Sequence, residues 1–243
     1  GSLAQNHSIS TKICLLNYQF ITVFDQPTNQ MRKLFLSLFL FVLLSGFSGV
    51  VLVPVTGADL PQPAPDPGKA VPVLSDFITS TKTGDAELLV GLYVPDKFAF
   101  PIIQQPSSNP GFISEKDDTL TQFRTAATYG TTGLLAHNFL GGAHFADITA
   151  GDTIYLVKGD GSLQFFQVTA IRSYQALQPN NPYSSFVNLE DPKQTINSTD
   201  LFMQIYANPG NLILQTCIEK DNELSWGRLF IIASPLEKLA TNN

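Results

Sequence analysis

Cysteine is nearly absent from this chain: 243 residues contain two, Cys14 and Cys217. That number excludes the cysteine-dense framework by which small secreted domains compensate for a thin core. Charge is also sparse, with 14% Asp, Glu, Lys and Arg and a formal net charge of −6. No Lys/Arg-rich run occurs, so the electrostatic footprint of a nucleic-acid-binding protein is missing and no nucleic-acid partner is expected. Three histidines and no cluster of acidic or thiol ligands leave little with which to hold a metal, and neither metal nor cofactor is expected. Asp147, Asp152 and Asp160 are scattered and read as turn residues.

What is present is apolar and aromatic. Hydrophobic residues make up 44% of the chain, with 18 Phe and 7 Tyr, and the scarcity of alanine-rich helical patterns favours a β-rich core. Part of the hydrophobicity is concentrated near the N-terminus. Arg32 and Lys33 precede residues 34–55 (LFLSLFLFVLLSGFSGVVLVPV), which carry no charge, and small residues come next at Thr56-Gly57-Ala58. The pattern matches an export signal cleaved after Ala58. The run is also long enough for an uncleaved signal-anchor, since about 20 apolar residues span a bilayer. In either case the positive charges precede the apolar run, and the chain beyond it is expected outside the cytoplasm. Membrane contact is expected only through residues 34–55, if they are retained.

Residues 1–30 precede Met31 and are set aside as an upstream or non-native segment; 31–58 form the signal peptide or signal-anchor. Residues 59–75 form a proline-rich linker, in which LPQPAPDPG (60–68) favours an extended spacer. Residues 76–243 form a single domain. Setting Cys14 aside leaves Cys217 alone in the exported part. It is then a buried inert thiol, one end of an intermolecular bridge, or a reactive group.

Within the domain, short apolar runs bounded by Gly or Pro read as strands: 87–94 (ELLVGLYV), 133–137 (GLLAH), 153–157 (TIYLV), 162–174, 201–206, 211–217 (NLILQTC) and 226–233. Lys158-Gly159-Asp160-Gly161 marks a hairpin turn between two of them. Residues 119–128 and 183–189 are expected as short helices. Many short strands separated by turns suggest a closed barrel or a sandwich. Asn197-Ser198-Thr199 has the form of a glycosylation acceptor, a short pattern that recurs by chance.

Cys217 ends an apolar strand, and a free thiol with a pKa near 8.5 needs help to act as a nucleophile. Two histidines remain outside the first thirty residues. His137 closes the run GLLA at a strand end, where a cleft can open; His144, in the loop-like GGAHFAD, is the weaker candidate. Among the cations, Arg124 and Arg172 lie in mixed segments, whereas Arg228 sits inside the apolar SWGRLFIIA. A charge there is costly unless paired, functional or outward-facing.

Taken together, LLAHN with His137, LQTC with Cys217 and WGRLF with Arg228, in that order, resemble the sortases. DITAGDTIYLVKGDGSLQFFQV (147–168) is similar to the sortase segment after the histidine. The likeness covers residues 87–235. It implies a mainly β fold, an eight-stranded mixed β-barrel with short helices. It further implies an extracytoplasmic cysteine transpeptidase whose partners are the peptide sorting signal of exported proteins and an amine acceptor. Cys217 would attack the Thr–Gly carbonyl of an LPxTG-like signal and form a thioacyl intermediate. His137 would move the proton, and Arg228 would stabilise the oxyanion or position the peptide backbone. Thr216 and Trp226 would contact substrate. The chain departs from the pattern at Ala136, where glycine is usual, at Asn138, where arginine is common, and at Ile213, where a threonine is expected. These departures mark a divergent branch. Two other readings stay open: a cysteine peptidase that only hydrolyses, and a non-catalytic envelope-binding barrel with Cys217 buried.

Overall fold

The structure, a computed structural model, describes residues 70–236. The expected N-terminal segment, export signal and most of the linker lie outside them. Among the described residues no helix is long and apolar enough to cross a membrane.

Among the described residues ten strands form one sheet. They are β1 (Leu89–Val94), β2 (Phe98–Gln104), β3 (Leu120–Phe123), β4 (Thr132–Leu135), β5 (Thr153–Lys158), β6 (Leu163–Ala176), β7 (Phe186–Asn188), β8 (Thr195–Ile196), β9 (Leu212–Lys220) and β10 (Glu223–Pro235). Neighbours run β10-β9-β4-β3-β2-β1-β5-β6, and a further β10–β6 pairing closes these eight into a barrel. β7 and β8 extend from β6 beyond the closure. The β2–β3 and β4–β9 pairs are parallel and the rest antiparallel. The eight-stranded mixed barrel with short helices is therefore what the chain forms. Closure satisfies the long edges of β6 and β10, which would otherwise expose rows of unpaired N–H and C=O groups.

Alternation along the strands divides the apolar residues into an inside and an outside. Leu92, Leu120, Leu134, Ile154, Leu156, Leu212, Leu214 and Ile231 fill the barrel, all fully buried. On the outer face, Phe123, Leu135, Tyr174, Phe186, Ile213, Cys217 and Phe230 form a second cluster. Helix α1 (Leu74–Thr81) seats Phe77 on a third patch, with Val90 and Val157. This helix begins before position 76, where the domain was expected to start.

The β5–β6 hairpin obeys the sequence pattern: Val157 pairs with Leu163, the Lys158 N–H donates to the Ser162 carbonyl, and Gly161 adopts φ of 91°. Three other segments differ from expectation. The apolar run 201–206 is not a strand but part of helix α3 (Ser198–Tyr206). Asn197 caps it by accepting a hydrogen bond from the Asp200 N–H at 2.9 Å. Leu201, Phe202, Ile205 and Tyr206 recur with helical spacing and bury one stripe on the outer cluster. The Asn197-Ser198-Thr199 pattern is thus the start of a helix. Residues 119–128 divide into strand β3 and a single helical turn, α2 (Arg124–Ala127). Residues 183–189 contain strand β7, whose Phe186 pairs with Ala176. Strand β2, outside the expected runs, contains Pro101; pairing with β3 starts only at Ile102, past the residue that lacks an N–H.

Candidate functional site

Three strand ends meet on the outer face of the barrel. In the antiparallel β9–β10 ladder Arg228 is the direct partner of Cys217. Opposed residues lie about 4.5–5.5 Å apart at Cα and project to the same face. Arg228 also pairs with Tyr174 of β6, and Tyr174, Cys217 and Phe186 share the outer cluster. On the other side of β9, β4 runs parallel, with Leu135 level with Gln215. The Ala136 N–H donates to the Gln215 carbonyl at 3.2 Å, which carries the alignment past the end of β4. Continuing it brings His137 level with Cys217. Residues far apart in sequence are thereby gathered at one end of three adjacent strands.

All three are buried, with exposures of 4% for His137, 6% for Cys217 and 1% for Arg228. The ring of His137 stacks on Phe139, centroids 5.1 Å apart and planes 19° from parallel. Its carbonyl accepts from the Leu140 and Gly142 N–H groups at 3.0 and 2.9 Å, which turns the chain into the 3-10 helix Gly141–Asp147. Arg228 donates through Nη1 to the carbonyls of Ser225 and Gly227 at 2.9 and 2.8 Å. Its guanidinium carbon stands 5.8 Å from the Phe186 ring centre. Burial pushes this guanidinium down to about 10, with Glu223 acting in the opposite direction. It stays a cation at neutral pH.

Cys217 is disulfide-bonded. The expectation of an unpaired thiol is therefore corrected; Cys14 lies outside the described residues. Any nucleophilic role for Cys217 requires its reduction, because the thiolate is the reactive form.

The other candidates lie around this centre or away from it. Thr216 is 2% exposed and donates from Oγ1 to the Ala136 carbonyl at 2.9 Å. It alternates with Cys217 along β9, so it faces the opposite side of the sheet. Trp226 is half-buried beneath the Lys220 ammonium, 4.8 Å from its ring centre, where the β9–β10 register shifts. His144 packs against Phe98 and Phe100 and stands 3.9 Å from the Asp147 carboxylate, with no part in the Cys217 pairing. Arg172 pairs with Glu190 at the surface, and Arg124 is exposed on α2.

Sequence reasoning missed the contacts that hold this arrangement. Gln215 is buried on the same face as Cys217 and accepts from the Tyr206 hydroxyl at 2.6 Å, which ties helix α3 to the floor of the site. Burial pushes the Tyr206 phenol above its ordinary range, so it remains a donor. Asn138 donates to the Leu224 carbonyl at 3.2 Å. No local pattern announces either contact, since each joins segments that only the barrel brings together. Among the described residues no group of His, Cys, Asp and Glu is arranged to hold a metal ion.

No protein-family model matches this chain. No curated protein matches it either. Solved structures do match. Sortase A from Corynebacterium diphtheriae is 15% identical, with a TM-score of 0.40 over 61% of this chain and 60% of that one. Sortase C1 from Streptococcus suis is 14% identical, with a TM-score of 0.41 over 67% and 78% of the two chains. Sortase A from Listeria monocytogenes is 14% identical, with a TM-score of 0.37 over 62% and 88%. The chain thus spans three-fifths of the C. diphtheriae protein. The likeness is one of fold, a sortase-like barrel, and says nothing of activity.

Proposed function

We propose that this chain is an exported, sortase-like cysteine transpeptidase acting on a peptide sorting signal of LPxTG type. The observation that supports it most is the cross-strand pairing of Arg228 with Cys217, a buried cation beside a sulfur. A nearby positive charge favours thiolate over thiol. It also favours the oxyanion that forms when sulfur adds to a carbonyl.

With Cys217 reduced, its thiolate attacks the Thr–Gly carbonyl. The carbon–sulfur bond forms and the carbon–nitrogen bond breaks. His137 gives a proton to the departing glycine amine, leaving a thioester on Cys217. An incoming amine, whose proton His137 accepts, then displaces the sulfur and releases the joined product. Arg228 holds the oxyanion or the peptide backbone in both steps. Thr216 serves by holding Ala136, and so the base of the His137 loop, against β9. Residues 34–55, preceded by Arg32 and Lys33, direct export, and the proline-rich stretch after them spaces the domain from the membrane.

The disulfide at Cys217 favours a second reading, a barrel in which this sulfur is structural. One experiment separates the two. The chain is incubated with an LPETG peptide and triglycine, with and without a reductant, and monitored by mass spectrometry. The transpeptidase reading expects a thioacyl adduct on Cys217 and a peptide–triglycine product in the reduced sample only. Hydrolysed peptide in place of the triglycine product marks a peptidase. No adduct in either sample overturns both enzymatic readings.

A further inference from the structure

His137 lies just past the end of β4 and Arg228 lies on β10, on opposite sides of the strand that carries Cys217. The Ala136 backbone is tied to β9 twice, through the Gln215 carbonyl and the Thr216 hydroxyl. The His137 carbonyl is held by two N–H groups of its own loop. Arg228 is held by carbonyls three and one residues before it. These contacts join the histidine side of the site to the arginine side only through β9, whose Cys217 pairs with Arg228 of β10.

The Asn138 side chain joins them directly. Its Nδ2 donates to the Leu224 carbonyl at 3.2 Å, across a separation of 86 residues. A backbone carbonyl only accepts, so the amide nitrogen is the atom that must face it. Leu224 precedes Ser225, whose carbonyl takes the Arg228 guanidinium and whose N–H donates to the Glu223 carboxylate at 2.9 Å. A continuous path of bonds therefore runs from the residue after His137 to the group that aims Arg228. We propose that Asn138 is a positioning residue that ties the His137 loop to the Arg228 hairpin and so sets the spacing at which proton donor and cation meet one substrate carbonyl. The catalytic sense of this tie rests on the transpeptidase reading.

Asn138→Asp keeps the shape and removes the donor; Asn138→Ala removes both without adding charge. Both are compared with the reduced wild-type chain in two measurements. Backbone hydrogen exchange is expected to rise by about tenfold at residues 138–142 and 224–227 together, because opening one end releases the other. In peptide–triglycine transfer, kcat is expected to fall by about 10- to 100-fold with KM within about twofold, as for a misplaced catalytic group. The pH profile of kcat/KM should also lose the limb that reports His137, which a merely structural contact would leave in place. Unchanged exchange at 224–227 in both variants overturns the tie. Coupled exchange with wild-type kcat and an overlaid pH profile overturns its catalytic role. If Cys217→Ala turns over like wild type, the transpeptidase reading falls and with it the catalytic role, while the exchange measurement still decides the tie itself.

Discussion

Strand β9 presents two very different faces. Leu212 and Leu214 look into a barrel lined by aliphatic and aromatic side chains. Ile213, Gln215 and Cys217 look outward, first under helix α3 and then beyond it, where His137 and Arg228 are buried with them. The inward face gains from the removal of apolar surface from water, roughly 1.5–3 kcal/mol for each large side chain. The outward end gives up part of that gain by holding a cation in a poorly solvated place, which is unfavourable unless the charge has a use. A rigid apolar interior and a polar rim on the same strands suggest a division of labour: one face holds the register, the other uses it.

Substitutions that separate the two faces test this division. The largest effect is expected from Cys217→Ala, which should abolish the thioacyl adduct and transfer while the midpoint of thermal unfolding, compared with the reduced wild type, moves little. His137→Ala should lower kcat by about 10²- to 10⁴-fold, the usual contribution of a positioned acid–base group, with circular dichroism unchanged. Arg228→Lys keeps the charge but is shorter and lacks the planar guanidinium that stands over Phe186 while donating to the Ser225 and Gly227 carbonyls; kcat is expected to fall by about 10²-fold. Because burial brings Arg228 down only to about 10, wild-type transfer should show no titration of this group between about pH 6 and about 8. A rate change traced to Arg228 in that window would break the assignment. On the inward face the outcome should reverse. Leu214→Ala, at a fully buried position, should cost about 2–5 kcal/mol in urea unfolding, with kcat per folded molecule close to wild type. Tyr206→Phe lies on the boundary. Loss of its bond to Gln215 leaves a buried amide with one contact fewer and should cost about 1–3 kcal/mol. The accompanying change in kcat is expected to be small.

The strands legible in the sequence were those whose pairing is local or whose apolar run is long, such as the β5–β6 hairpin with its Gly-Asp-Gly turn. The segments that were not legible carry a conflicting local signal. β2 tolerates Pro101 because pairing with β3 starts after it. The run 201–206 has an apolar content compatible with a strand, and the Asn197 cap with the stripe Leu201, Phe202, Ile205, Tyr206 makes it a helix. His137, Cys217 and Arg228 were nominated by residue type and order. The disulfide at Cys217 was not legible, because setting residues 1–30 aside leaves a single cysteine in the rest of the chain.

The sequence by itself determined a β-rich chain with sparse charge, a hydrophobic segment led by two basic residues, and three chemically suited residues in a fixed order. Composition and short-range alternation carry that information, since each depends only on neighbours along the chain. Barrel closure through β10 and β6, the pairing of Arg228 with Cys217, the inward turn of Thr216 and the Asn138–Leu224 contact were decided by the tertiary structure alone. Each depends on strand register between distant segments, and a slip of one residue would send every one of these side chains to the other face.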